Sequence, residues 1–208
     1  MQRSCICLFC LLLGITQNLK AQSVADMWIS IPEDVVLYLS LNQRKEMIEC
    51  NNIGVDTNVK NKFEGSTSID TLTDDYGKFI LSESRIFEIV RLSFEPDSIF
   101  MVIDSFLAPE MHGIVSFYDK RWNSLSSDDK LQKVTIEELF IKPDTMSVKE
   151  YEDLIKLIIP EFLVYSYDSD NKMLEISVSL PLTTSNEKEQ ISPMLCKRRL
   201  KWRGNTFN

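Results

Sequence analysis

A single histidine, six glycines and five cysteines stand in 208 residues, and three of the cysteines fall within the first ten. Each scarcity excludes a chemistry. One imidazole without placed partners is not a coordination set, so a histidine-built metal centre is excluded. No Cys-x-x-Cys occurs, which removes the zinc ribbon and the thioredoxin-like redox motif. The glycines form neither a P-loop nor a dinucleotide-binding loop, and no serine sits in a Gly-x-Ser-x-Gly elbow. The sequence therefore implies no cofactor. Positive charge is also short: 23 Lys and Arg face 31 Asp and Glu, for a net charge of −8. Nucleic acid and anionic membranes both need a positive surface, so neither is an expected partner.

The N-terminus has the layout of a secretory signal peptide. Arg3 supplies a positive start, Cys5 to Ile15 is an almost unbroken apolar run, and Leu19-Lys20-Ala21 offers a cleavage site after Ala21. The run is too short to span a bilayer, and no later stretch approaches ~18 consecutive apolar residues. Cys10 does not read as a lipid-attachment cysteine, because Phe9 stands where lipoprotein signals need a small residue. Removal of residues 1–21 takes Arg3 and Lys20 and no acid, moving the net charge from −8 to about −10. Of the cysteines only Cys50 and Cys196 then remain. In an exported chain they either pair or stand as buried thiols. The sequence points to a protein of the periplasm or the cell exterior.

With 44% apolar and 26% charged residues, the rest is ordinary globular material. Residues 22–208 read as a single α+β domain, divisible into subdomains 22–125 and 133–208. Its centre is Ile69 to Trp122, a four- or five-stranded antiparallel meander. The runs Tyr76–Leu81, Arg85–Ser93, Ser98–Leu107 and Gly113–Tyr118 are rich in β-branched and aromatic residues and bounded by turn residues. Arg85–Ser93 and Ser98–Leu107 are apolar on both faces, so both faces of the sheet need cover.

The helices are the candidates for that cover. Ser23 caps a first turn with Asp26 three residues later, and Pro32 ends or restarts it. Asn42 caps Gln43–Cys50, with Met47, Ile48 and the stem of Arg44 on one face and Gly54 closing the helix. Trp122-Asn123-Ser124-Leu125 leaves the sheet. Thr135 and Glu138 make a capping box for a short helix. Ser147 and Glu150 make another, followed by Val148, Tyr151, Leu154, Ile155, Ile158 and Ile159 at helical spacing up to Pro160. That amphipathic helix is expected to lie on the sheet. Phe162–Tyr167 and Met173–Leu180 form a hairpin around Asp168-Ser169-Asp170-Asn171-Lys172. Ser185–Gln190 is a short charged helix or loop. A last strand runs within Cys196–Phe207, broken at Gly204.

Few residues suggest chemistry. His112, with Glu110 or Asp119 to orient it, would need a nucleophile that the sequence does not place, and reads as an exposed turn residue. Asp74, Asp75 and Asp104 lie nearest the sheet. A carboxylate pair runs glycoside hydrolysis, but adjacent acids on a strand face opposite ways, and Thr73–Gly77 reads more simply as a turn. Asp168–Asn171 lacks the glycine of a calcium loop. The one unusual feature is the tail. Lys197, Arg199, Lys201 and Arg203 alternate with Arg198, Leu200 and Trp202, which on a strand makes one face basic. Such a face fits an anionic envelope glycan or an acidic protein partner. It equally fits an edge strand guarded by cations or paired with acidic neighbours.

Several strings resemble an uncharacterised family of exported proteins from Bacteroidales. They are Leu41–Ile48, Leu72-Thr73-Asp74-Asp75-Tyr76, Leu81-Ser82-Glu83-Ser84, Val115-Ser116-Phe117-Tyr118 with Trp122, and the ending Trp202–Phe207. The string from Thr73 to Ser84 is the most specific. Glu49 stands where that family has aspartate. The resemblance covers essentially residues 22–208 and implies export, with no activity and no site residues. The functional expectation is a non-enzymatic envelope protein binding a protein or glycan partner. The alternative is a carboxylate-dependent hydrolase of envelope or dietary glycans.

Overall fold

Strand follows strand through the middle of the chain, each antiparallel to the last. The computed structural model describes residues 22–94, 97–108, 110–158, 162–180 and 184–208. The signal-like segment 1–21, its cleavage position and Pro160 lie outside them. Among the described residues the first sheet runs in order β1 (Val59–Lys60), β2 (Ser66–Leu72), β3 (Tyr76–Ser82), β4 (Arg85–Phe94), β5 (Asp97–Phe106), β6 (His112–Tyr118) and β7 (Ser124–Leu125). A second sheet has β9 (Met173–Ser179) between β8 (Phe162–Asp168) and β10 (Arg198–Lys201), all antiparallel. The helices are α1 (Val24–Ser30), α2 (Leu41–Asn52), α3 (Val148–Ile155) and α4 (Ser185–Ile191). The architecture is α+β, with a meander longer than expected. Ser124 and Leu125 do not leave the sheet: they pair with Tyr118 and Phe117 as its last strand. Asp119 makes this possible by accepting the backbone N–H groups of Arg121 and Asn123, which folds the chain back.

Both faces of the meander are covered, as its two-sided apolar strands require. On one face Phe79, Leu81, Phe87, Ile89, Phe100 and Val102 pack against Val24, Met27, Trp28, Val36, Leu39 and Met47 of the N-terminal helical segment. Trp28 lies flat on Phe79, ring centroids 3.8 Å apart at 8°. Gly77 permits this closeness, since a Cβ there would come within 2.8 Å of Val24. On the other face Val90, Leu92, Ile99, Met101, Ile103 and Phe117 meet Leu174, Ile176, Leu200 and Phe207. The second face is thus covered by the hairpin and tail strand rather than by α3. That helix has its expected Ser147–Glu150 capping box, but none of its residues is buried and Val148 is 63% exposed. Tyr151, Leu154 and Ile155 pack only at the edge of the core. Periodicity predicts the helix, and the face it is expected to cover is closed by β9, β10 and Phe207 instead.

The cap of α2 also differs from expectation. Ser40, not Asn42, is the N-cap: its Oγ accepts from Gln43 N, and Gln43 Oε1 accepts from Ser40 N. The predicted inner face is present, with Arg44, Met47 and Ile48 all buried, and Gly54 closes the helix at φ +73. Arg44, 3% exposed, donates to the carbonyl oxygens of Ile31 at 2.9 Å, Leu39 at 3.1 Å and Ile29 at 3.4 Å. Desolvation pulls its pKa down and the nearby Glu33 charge opposes this. One guanidinium therefore supplies the donors for a helix end and a loop that have no ladder of their own.

Candidate functional site

The two sheets part at one end, where the last residues of β4, β8 and β10 and the first residues of β5 and β9 converge. There lies a cleft of about 370 Å³, lined by Asp75, Arg91, Leu92, Ser93, Ser98, Tyr167, Lys172, Lys201 and Trp202. A depression of about 220 Å³ shares Asp75, Arg91, Tyr167 and Lys172 with it and adds Thr73, Tyr76, Ser169 and Asp170.

Each wall is positioned by local chemistry. Thr73 closes the β2–β3 turn, its N–H donating to Tyr76 O at 2.7 Å and its Oγ1 accepting from Tyr76 N at 3.0 Å. That turn presents Asp75, whose backbone oxygen accepts from Arg91 N and whose carboxylate accepts from Arg91 Nε at 2.6 Å. The hairpin turn is tied by Asp168, which accepts from Asp170 N at 3.1 Å and Asn171 N at 2.9 Å. Hydrogen bonds from the Asn171 side chain, then from backbone N–H groups, hold the Asp168 carboxyl below the usual range. Lys172 ends the turn in the left-handed region at φ +54. Trp202 joins the sheets, its indole N–H donating to Ser93 O at 2.7 Å.

The four cations of the tail face are divided by this arrangement. Arg199 lies opposite Glu175 on β9 and donates to it at 3.0 Å, and Lys197 donates to the other oxygen of the same carboxylate. Those contacts, Lys197 first, pull the Glu175 pKa down. Lys201 lines the cleft and makes no ion pair among the described residues. Arg203 lies past the end of the strand, in a turn where its N–H donates to Thr206 O. On the alternate face Leu200 is buried and Trp202 anchors the strand to Ser93. Lys172, Tyr167 and Arg91 were not singled out from sequence, because Lys172 and Tyr167 come to Lys201 only through the pairing of β8, β9 and β10, and Arg91 only through the packing of one sheet on the other. The available signal was the hairpin turn itself, with a cation directly after its Asx residues.

The other candidate groups have structural partners. His112 is not in a turn: it opens β6 and is half-buried, stacked between Phe106 and Phe162 with centroids 5.1 Å from each. The Glu110 carboxylate accepts from Ser179 and Lys188 rather than from the imidazole. Asp104 takes Arg85 in a fork, at 2.8 and 2.6 Å. Among the described residues Cys50 and Cys196 are both free thiols. Among the described residues no three His, Cys, Asp or Glu cluster as a metal site, and no helix is long and apolar enough to cross a membrane.

Behind the cleft sits a buried carboxyl. Glu88, 6% exposed, accepts from the Tyr76 hydroxyl at 2.7 Å, and the Tyr76 ring contacts Tyr167 at 5.9 Å. Burial pushes the Glu88 pKa up, and the Tyr76 hydrogen bond and the Lys78 charge offset part of this. Burial and the Glu88 charge push the Tyr76 phenol up as well. A folded pKa above the unfolded value, ~4.3, means the native state keeps a proton that the unfolded chain has lost. Stability should fall as pH rises from the unfolded pKa through the folded one, and level off above it. Glu88→Gln should remove this segment of the pH–stability curve and raise the urea midpoint at neutral pH. Parallel curves for the two proteins from pH 4 to 8 would refute the assignment.

Comparison with known proteins bears on the family and the fold. A family model described as "Protein of unknown function (DUF3256)" matches residues 16–207. No curated protein matches the chain. Among solved structures it is similar to a domain of an uncharacterized protein from Porphyromonas gingivalis W83, a member of the Bacteroidales, with a TM-score of 0.74. The identity is 20%, over 90% of this chain and 98% of that one, a likeness that speaks for the fold.

Proposed function

Because the chain belongs to the DUF3256 family of proteins of unknown function, we propose from its own geometry that it is an exported, non-enzymatic protein that binds an anionic glycan at the cleft between the sheets. One observation carries the reading: Arg91, Lys172 and Lys201 converge with Tyr167 and Trp202 in a recess of about 370 Å³ on an otherwise acidic chain. A local field opposite in sign to the global one attracts an anion only at short range, ~8–10 Å at physiological salt. The aromatic side chains and two serines in the wall favour a saccharide over an acidic protein surface, which needs a broad contact rather than a recess. Hydrolysis has less support. The carboxylate that lines both recesses, Asp75, is engaged by Arg91. The carboxyl held up in pKa by burial, Glu88, hydrogen-bonds Tyr76 and lines neither recess. The signal-like run ahead of Ala21 supports export.

The test is titration against anionic envelope polysaccharide at low and moderate salt. Wild type should bind, more weakly as salt rises. Lys201→Glu should abolish binding, whereas Arg199→Ala should leave it nearly unchanged because Arg199 is engaged by Glu175 and lines neither recess. Absence of salt-sensitive binding by wild type overturns the reading. Export is checked by N-terminal sequencing: the protein should start at Gln22 outside the cytoplasm, and a cytoplasmic protein starting at Met1 refutes it.

A further inference from the structure

We propose that the cleft recognises one terminal acidic sugar, a single-ring carboxylate with at most one further ring, and does not track along a polymer. This deepens the reading above and rests on it. Size is the first argument. About 370 Å³ lies at the small end of ligand cavities, which run roughly 300–1,000 Å³. The basic face does not extend the cleft, because Lys197 and Arg199 are both committed to Glu175. A polymer lying along β10 would meet, beyond Lys201, two cations that already share the Glu175 carboxylate.

The donor set is the second argument. Lys172 and Lys201 make no ion pair among the described residues; one ends the β8–β9 turn and the other ends β10 beside it, so a carboxylate between them meets two cations. Arg91 is held rigidly by Asp75 and supplies shape more than free charge. Asp75, its side chain 53% exposed, can accept from sugar hydroxyls. It also penalises a compact doubly charged ion such as phosphate more than a singly charged carboxylate. Ser93 and Ser98 are cross-strand partners, and both line the cleft. Burial, with Asp75 and Asp168, pushes the Tyr167 phenol up to about 12, so it remains a neutral donor at physiological pH. Tyr167 and Trp202 add the apolar wall against which a sugar ring can lie.

Calorimetric titration of the protein tests this, using galacturonate and its neutral parent galactose, glucuronate, N-acetylneuraminate, inorganic phosphate, di-galacturonate and polygalacturonate. At least one sugar acid should bind, at least about tenfold more tightly than galactose or phosphate. Affinity per chain end should stop growing at the disaccharide. Lys172→Met and Lys201→Met should each weaken binding about tenfold while leaving the melting temperature unchanged. Equal binding of galactose, or equal binding of phosphate, overturns the sugar-acid assignment. Affinity that keeps rising with polymer length and ignores Lys172→Met overturns the single-unit inference while leaving an anionic-glycan protein in place. If no sugar acid and no polymer binds, both readings fall.

Discussion

Arg44→Ala should lower the unfolding free energy by roughly 3–5 kcal/mol, because it strips donors from three carbonyl groups, two of them in a buried setting. The side chain is 3% exposed, so water cannot replace it without opening the space between α1 and α2. Arg44→Lys should recover only part of the loss, since a compact ammonium on a flexible stem cannot serve three acceptors held in the geometry of a planar fork. Urea denaturation of the three proteins checks this. An alanine variant within about 1 kcal/mol of wild type would mean that the loop from Pro32 to Leu39 finds other donors.

Trp28 should give the second large effect, in a form that separates packing from hydrogen bonding. It is fully buried and stacked on Phe79, yet its indole N–H has no hydrogen-bond partner among the described residues. Trp28→Ala should cost about 3–5 kcal/mol through lost apolar burial and the cavity left behind. Trp28→Phe should cost far less. It keeps a ring on Phe79 and removes a buried donor whose desolvation had no compensation. If the phenylalanine variant is as unstable as the alanine one, either the indole shape is indispensable or its N–H is satisfied.

The contrast between these two residues shows which parts of the fold could be read from the chain. Arg44 was legible as a helical residue whose stem faces inward with Met47 and Ile48, since that follows from a period of 3.6. Its three acceptors were not, because Ile29 and Ile31 come to it from another element across a turn at Pro32. The N-cap at Ser40 was missed by two residues for a related reason. Asn42 and Ser40 are both good caps, and the reciprocal bond with Gln43 decides between them. His112 was misplaced because Glu110-Met111-His112-Gly113 has turn composition. Stacking on Phe106 and Phe162 keeps His112 in the strand.

At the candidate site the division is sharper. Alternation along the tail determined that Leu200 is inside, that Trp202 anchors the strand, and that Lys197, Arg199 and Lys201 stay at the surface. It could not say which of those cations is free. Glu175 reaches Lys197 and Arg199 through the register of β10 on β9, and register depends on long-range pairing that no local period encodes.

By itself, then, the sequence determined the α+β class, the meander from Tyr76 to Tyr118, the capping boxes at Ser23, Thr135 and Ser147, and the hairpin turned by Asp168. These follow from periods of 2 and 3.6 and from turn chemistry acting over a few residues. Only the tertiary structure decided that the hairpin and tail, not α3, cover the second face. Leu174, Ile176, Leu200 and Phe207 close that face, and local periodicity does not choose between them and an amphipathic helix as its cover. The same packing brought Arg91, Ser93 and Ser98 of the first sheet to a single cleft with Lys172 and Lys201 of the second.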